Sequence, residues 1–206
     1  MMYLSHTHTD VAGFSLVETL VAIAILLIVI VGPMSIASQA NISTNFANQQ
    51  VTAYFLAQEG LELVQKGRDD LLLPRFDGLP LPPANNTGWD AFTSVSGRFA
   101  DCYTTAGCGL EIDETVNGSL VITDCDLGTT TQFDCQLYLT DDLTTRAQYT
   151  HTISSTATDY IRVITIDETV ANQEVLVTSE VLWRTGNQIQ DQSVVATTYL
   201  FNVYGR

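Results

Sequence analysis

The sequence predicts an α+β fold, in which a long N-terminal helix packs on an antiparallel β-sheet. Every residue from 20 to 31 is apolar, and apolar residues then recur at helical spacing up to about residue 64. Near the C-terminus, residues 174–184 and 193–204 instead alternate with a period of two, which is typical of half-buried strands. A helix laid across one face of the sheet buries the apolar side of both elements.

The apolar segment is long enough to cross a membrane. Residues 20–37 form a stretch of 18 residues, which extends about 27 Å as a helix, close to the roughly 30 Å hydrocarbon thickness of a bilayer. An ordinary secretory signal would be cleaved after Ala40 and would release a secreted hydrolase, but residues 1–19 contain no Lys or Arg, which such a signal needs. An uncut helix that anchors a surface adhesin is a second alternative.

A specific motif stands directly before this apolar stretch. Residues 13–18 read Gly-Phe-Ser-Leu-Val-Glu, which resembles the class III signal of type IV pilins and pseudopilins. In that family a prepilin peptidase cuts after the glycine and methylates the new N-terminal phenylalanine, and the glutamate guides assembly. The resemblance implies cleavage between Gly13 and Phe14, N-methylation of Phe14, and an assembly role for Glu18. The leader departs from the family pattern because it carries no Lys or Arg.

The chemistry of the motif gives the glutamate a partner. A carboxylate beside an apolar span is costly in a membrane. Cleavage after Gly13 creates an α-amine at Phe14 that is largely cationic near neutral pH. In parallel, staggered helices, Glu18 of one subunit can meet the Phe14 amine of the next.

The chain divides into five predicted segments. They are a leader (1–13), a transmembrane or filament-core helix (14–37), its amphipathic continuation (38–70), a connector (71–100) and a disulfide-containing β-rich domain (101–206). The helix is expected to run to about Asp69, with Pro33 as a weak point. Its predicted packing face comprises Ala47, Val51, Tyr54, Ala57, Leu61 and Val64.

The remaining segments favour loop and then strand. The connector is rich in Pro, Gly and Asn, which favours turns and extended chain, and three aromatic residues are expected to anchor it on the sheet: Trp89, Phe92 and Phe99. The predicted strands are 120–123, 136–139, 148–153, 160–166, 174–184 and 193–204. One predicted face comprises Val175, Val177, Ser179, Val181 and Trp183, and another comprises Val195, Thr197, Tyr199, Phe201 and Val203.

Four cysteines lie beyond the apolar span, and in an exported domain an even number indicates disulfides. Three pairings are possible. A faint repeat favours Cys102–Cys108 and Cys125–Cys135. In each unit Asp-Cys is followed by a short loop and by Cys-x-Leu, which enters a possible strand, after Cys108 in the first unit and after Cys135 in the second. A zinc site is the alternative, but no Cys-x-x-Cys spacing is present.

The composition argues against several function classes. The net charge is −15 with a single lysine, Lys66, so no nucleic-acid partner is expected. His151 is the only histidine beyond residue 10, and its alternating surroundings indicate packing rather than catalysis. No catalytic residue, metal ligand or cofactor is predicted. A calcium loop around residues 124–134 stays open, because some pseudopilins bind calcium.

The predicted function is that of a structural subunit, a minor pilin or pseudopilin, and not of an enzyme. The expected partners are a prepilin peptidase, other pilin subunits and the inner membrane. The precursor would be a single-pass inner-membrane protein with its globular domain outside the cytoplasm, and the assembled form would be a cell-surface filament. A type IV pilus, a type II secretion pseudopilus and a DNA-uptake filament all fit the motif.

Overall fold

The structure is a computed structural model that describes residues 13, 15–72, 88–113, 118–125, 135–140, 148–151, 153, 156–184 and 191–203. The chain divides into two compact units, Met1–Ala47 and Asn48–Arg206. The elements in chain order are α1 (Leu16–Leu72), α2 (Gly88–Thr93), a 3₁₀ helix (Ala100–Tyr103), β1 (Cys108–Asp113), β2 (Ser119–Asp124), β3 (Gln136–Leu139), β4 (Tyr149–Thr150), β5 (Thr156–Val170), β6 (Glu174–Trp183) and β7 (Gln192–Phe201). A long helix and an antiparallel sheet confirm the predicted α+β class.

Helix α1 is 57 residues long and ends at Leu72, three residues beyond the predicted end at Asp69. It continues through Pro33, although a proline removes one helical hydrogen bond. The helix crosses from the first unit into the second after Ala47. Only its part in the second unit has a buried face.

The buried face of α1 differs from the predicted one. The structure buries Ala57 and Val64 and partly buries Leu61, whereas Ala47, Val51 and Tyr54 are exposed, so the prediction was wrong for these last three residues. The observed face is built largely from small residues, and its members are Ala53, Leu56, Ala57, Gly60, Leu63, Val64, Gly67 and Leu72. Small residues let the helix axis approach the sheet closely, and a search for large apolar residues overlooks them.

Two glycines show how close this approach is. A Cβ atom on Gly60 would lie 2.4 Å from Oγ of Ser179, and a Cβ on Gly67 would lie 2.4 Å from Cζ of Phe99 and 2.7 Å from Cδ2 of Leu120. Contacts this short require the neighbouring atoms to move. Glycine at positions 60 and 67 therefore determines where α1 packs within the second unit.

We expect Gly67→Ala to destabilise the second unit. Overpacking a filled core costs about 1–3 kcal/mol, which exceeds the roughly 1 kcal/mol that alanine gains over glycine in a helix. The free energy of unfolding, measured with urea on the detergent-solubilised chain, tests this. Gln50→Ala, at an exposed helical position, is the control and should change that free energy little. Equal stability of the two variants would contradict the packing role of Gly67.

The described strands form one antiparallel sheet. β5 pairs with β6 on one side and with β3 and β1 on the other; β2 pairs with β1, β4 with β3, and β7 with β6. β1 was predicted only as a possible strand after Cys108. β4 is limited to two residues of the predicted 148–153 segment. The sheet is therefore larger and less regular than the sequence pattern indicated.

The two C-terminal strands differ in how their predicted faces are covered. In β6 the predicted face is buried along its whole length. In β7 the predicted apolar face points outward: Val195, Tyr199, Phe201 and Val203 are 52–75% exposed, whereas Leu200 on the opposite side is buried. The register explains this difference, because Val175 of the buried face lies opposite Leu200, and Glu174 of the outer face lies opposite Phe201.

The predicted aromatic anchor is present, but part of the connector is helical rather than extended. Trp89 and Phe92 lie on α2, and both are buried, as is Phe99. The ring of Phe92 packs at a tilt against Trp89 and edge-to-face against Phe99, with ring centroids 5.7 and 5.0 Å apart. The three rings share a core with Val64 of α1 and with inward residues of β1, β5 and β6. Burial of these large rings fastens the connector to the second unit.

Candidate processing and assembly site

Helix α1 begins at Leu16, two residues beyond the start of the predicted mature chain at Phe14. The amide of Thr19 donates to the carbonyl of Ser15 at 3.1 Å, so Ser15 occupies the N-cap position that accepts the first helical hydrogen bond. Gly13 is exposed, and no other described atom lies within 4 Å of the place a Cβ would occupy. Phe14 lies outside the described residues.

Glu18 is electrostatically isolated within its part of the chain. It lies in the first turn of α1 and is exposed, and it is the only charged side chain between residues 14 and 58. A carboxylate is favoured near a helix N-terminus by the helix dipole. The first unit itself supplies no lysine or arginine after residue 13 with which Glu18 could pair.

From Leu20 to Val31 the exposed surface of α1 is entirely apolar. Helix α1 contains an 18-residue window with mean hydropathy 2.8 and none of that window is buried. By length and composition this part of the helix can cross a membrane. Its large apolar side chains are more than half exposed, and include Leu20, Ile23, Leu26, Ile28, Val31, Met34 and Ile36.

The second unit contains a buried cation that the sequence reasoning missed. Arg162 on β5 is completely buried, and its Nη1 donates to Oε2 of Glu59 at 2.8 Å and to the carbonyl of Leu56 at 3.3 Å. Its Nη2 donates to the carbonyl of Leu110 on β1 at 2.6 Å. One guanidinium thus joins α1 to two strands. The sequence did contain a signal for this site. Arg162 falls at an inward position of an apolar strand, and a positive charge buried there requires an acidic partner.

A second acid and a histidine adjoin this arginine. Oε2 of Glu111 accepts hydrogen bonds from the hydroxyl of Thr150 and, at 2.6 Å, from the amide of His151. Glu59, Glu111 and Arg162 also line a cavity of about 250 Å³. His151 is buried, as the sequence predicted, and a Cβ on Gly109 would lie 2.8 Å from its ring. Glycine at position 109 therefore makes room for the imidazole.

We expect this histidine to make stability depend on pH. Burial, followed by the positive charge of Arg162, lowers the pKa of His151 to about 4, and Glu111 and the Gln136 backbone only partly oppose this. The unfolded chain, with a histidine pKa of about 6.5, binds a proton that the folded chain does not bind between these values. The free energy of unfolding should therefore fall by about 3 kcal/mol as the pH drops from 6.5 to 4.

Urea unfolding at several pH values measures this dependence. His151→Gln removes the titrating group, so the variant should lose less stability than the native chain over that pH window. Carboxylates contribute to both proteins equally, so the difference between the two slopes isolates the histidine. Identical slopes would contradict the assignment.

The cysteines and acids of the second unit form no metal site among the described residues. The structure joins Cys102 to Cys108 and Cys125 to Cys135, with Cα–Cα distances of 4.6 and 5.3 Å, which are the pairs that the repeat favours. No described group of three or more His, Cys, Asp or Glu residues is arranged to hold a metal ion. Most of the possible calcium loop, residues 126–134, lies outside the described residues.

Comparison with known proteins identifies the N-terminal segment. Residues 9–32 match the prokaryotic N-terminal methylation motif, and this match includes the Gly13–Phe14 bond, Glu18 and the start of the apolar helix. Neither the curated proteins nor the solved structures include a match to this chain. The motif confirms the resemblance of the N-terminal segment to type IV pilin-like proteins with a class III signal, and the long helix packed on an antiparallel sheet is a pilin-like α+β fold.

Proposed function

We propose that the protein is a structural subunit, a minor pilin or pseudopilin, of a type IV pilus or a type II secretion-like filament. The methylation motif at residues 9–32 is the observation that carries this proposal. Prepilin peptidase cleaves after Gly13 and methylates the new terminus at Phe14. The mature chain then assembles with other pilin subunits through its N-terminal helix.

The isolation of Glu18 supports a pairing role between subunits. Its own helix provides no cation as far as residue 58, and the amine released by cleavage lies at Phe14. An unpaired carboxylate is costly in an apolar environment. In the filament, Glu18 of one subunit is neutralised by the Phe14 amine of a neighbour, so cleavage is required before assembly.

The same features set the location that we propose. The exposed apolar part of α1 holds the precursor in the inner membrane, with the acidic, disulfide-bonded domain outside the cytoplasm, where disulfides persist. On assembly the apolar helices exchange lipid for the helices of other subunits. We assign the protein no catalytic activity, because its role is that of a substrate and a building block.

The identity of the mature N-terminus tests the proposal directly. N-terminal sequencing or intact mass measurement of the protein from its native membrane should give Phe14, with one additional methyl group. A chain that begins at Met1 or Met2 would replace the proposal with a membrane-anchored surface adhesin. A chain that begins at Asn41 would replace it with a secreted protein.

A further inference from the structure

The outer face of the sheet, which α1 leaves uncovered, combines aromatic and acidic side chains at one end. Tyr199 and Phe201 on β7 are both 52% exposed. Tyr199 lies opposite Leu176 of β6, and Phe201 lies opposite Glu174. Asp167 of β5 lies opposite Leu176 on the other side of β6. We call these five residues the acid–aromatic face.

The spacing within this face lets one ligand group touch a ring and a carboxylate together. Opposed residues on neighbouring strands have Cβ atoms about 5 Å apart, and diagonal neighbours are about 7–8 Å apart. Glu174 is therefore beside Phe201 and diagonal to Tyr199. Asp167 is beside Leu176 in the same way. Each carboxylate thus adjoins an apolar surface on which a long side chain can lie.

The two acids of this face are in no ion pair among the residues that the structure describes. Glu174 accepts a hydrogen bond from the hydroxyl of Thr169 at 2.6 Å, which leaves its charge uncompensated. The described ion pairs involve other acids, and they are Lys66–Asp70, Arg68–Asp69, Arg162–Glu59 and Arg184–Asp191. A wholly apolar partner would desolvate Asp167 and Glu174 without compensation, which is costly. A partner that covers this face must therefore carry positive charge.

A second copy of this chain is a poor source of that charge. The chain has 8 Lys and Arg against 23 Asp and Glu, and its net charge is −15. Each Lys or Arg that the structure describes is already engaged, because four are in the ion pairs named above and Arg98 donates to the carbonyl of Leu120. Contact between two such acidic surfaces is opposed by their like charge. A different, basic protein is the occupant that the charge favours.

We propose that the acid–aromatic face binds a different protein through arginine side chains that this partner presents. Arginine suits both components of the face, because its planar guanidinium binds a carboxylate with two parallel hydrogen bonds and stacks on aromatic rings. An arginine that stacks on Phe201 can bind Glu174. A second arginine that packs its methylene groups on Leu176 can bind Asp167.

This contact leaves the assembly helix free. The acid–aromatic face includes no residue of α1, so its use is compatible with parallel N-terminal helices in one membrane or filament. The inference goes beyond the proposed function and depends neither on cleavage after Gly13 nor on Glu18. The face spans only three strands, about 10 Å between the outer two, and exposed charge pairs are screened by salt. We therefore expect weak binding that falls as salt is added.

A basic peptide of defined sequence tests the proposal on the full-length chain, purified in detergent from its native membrane. The probe is a fluorescein-labelled nonapeptide in which arginine alternates with threonine, so that its arginines share one side when it is extended. Fluorescence anisotropy at low salt measures its dissociation constant. A peptide with lysine in place of arginine should bind roughly threefold more weakly, because lysine lacks the planar stacking group. Equal binding of the two peptides, or no binding of the arginine peptide, would overturn the proposal.

Two pairs of variants determine whether the peptide binds at this face. Glu174→Gln should raise the dissociation constant about fivefold or more, because a charge-assisted contact is lost. Its control is Glu62→Gln, which removes the same charge at an exposed position of α1. Phe201→Ala should raise the constant roughly threefold, and its control is Phe55→Ala, at another exposed aromatic residue. Equal constants within either pair would overturn the proposal, since the peptide would then bind elsewhere on the acidic surface.

Two further measurements on the same samples separate this inference from its alternatives. Analytical ultracentrifugation should give the same oligomeric state for the native chain and for Phe201→Ala. A native dimer that Phe201→Ala dissociates would replace the basic partner with a second copy and overturn the proposal. Intact mass shows whether residues 1–13 are attached. A chain that retains them and still binds the peptide through Glu174 and Phe201 would refute the proposed function and support this inference.

Discussion

We expect Glu18→Gln to abolish entry into filaments while leaving cleavage after Gly13 intact. The substitution retains the size of the side chain and removes its charge, so the Phe14 amine of the neighbouring subunit loses its partner. Removing one member of a buried ion pair costs about 3–5 kcal/mol, which corresponds to a loss of roughly 100-fold or more in incorporation. Immunoblots of sheared filaments and of membranes, normalised to total protein, measure it.

Thr19→Ala is the matched control for this experiment. Thr19 is the next residue and is also exposed, and its hydroxyl donates only to the carbonyl of Leu16 in its own helix, at 2.9 Å. This variant should enter filaments at nearly the native level. Normal incorporation of Glu18→Gln would eliminate the charge-pairing mechanism. Uncleaved Glu18→Gln would instead place Glu18 in peptidase recognition.

We expect Gly13→Leu to leave the precursor uncut, which is the other large effect. No other described atom lies within 4 Å of a Cβ at this position, so the substitution should not disturb the described structure. Any block must then arise in the peptidase, whose site accepts glycine in this family. The mass of the membrane-bound protein should show that residues 1–13 are still attached. We expect the cleavage rate to fall by roughly tenfold or more, which is the usual effect of a side chain too large for a specific pocket.

Gly32→Leu is the control for the cleavage experiment. Gly32 also has no described neighbour within 4 Å of a Cβ, but it lies well inside α1. The Gly32→Leu chain should begin at Phe14. Cleavage of Gly13→Leu at the normal rate and position would contradict the assignment of the cleavage site.

Much of the N-terminal segment follows from the sequence alone because its properties are local. An apolar run of sufficient length can span a membrane whatever follows it, and the motif at residues 13–18 is a short contiguous stretch of sequence. The same holds for the period-two pattern that places Val175 and Val177 on one side of β6. The short Asp-Cys repeats similarly favour the disulfides between neighbouring cysteines.

The buried face of α1 was less predictable because two of its closest contacts are made at glycines, which have no side chain. Gly60 and Gly67 lie where α1 approaches the sheet most closely, and their role is to leave room for Ser179 and Phe99. A glycine has no hydropathy signal that marks such a position. Val51 and Tyr54 supplied the stronger apolar signal, yet the second unit does not cover them.

Periodicity by itself thus determined that α1 and the late strands are amphipathic, and local motifs determined the N-terminal processing signal. The tertiary structure decided which amphipathic faces are buried. Helix α1 covers one side of β5 and β6, so the equally apolar outer face of β7 remains exposed. The tertiary structure also decided the role of Arg162, because its partners Glu59 and Leu110 are 103 and 52 residues away. A sequence pattern shows that a face is apolar, but its burial depends on which distant segment the fold brings against it.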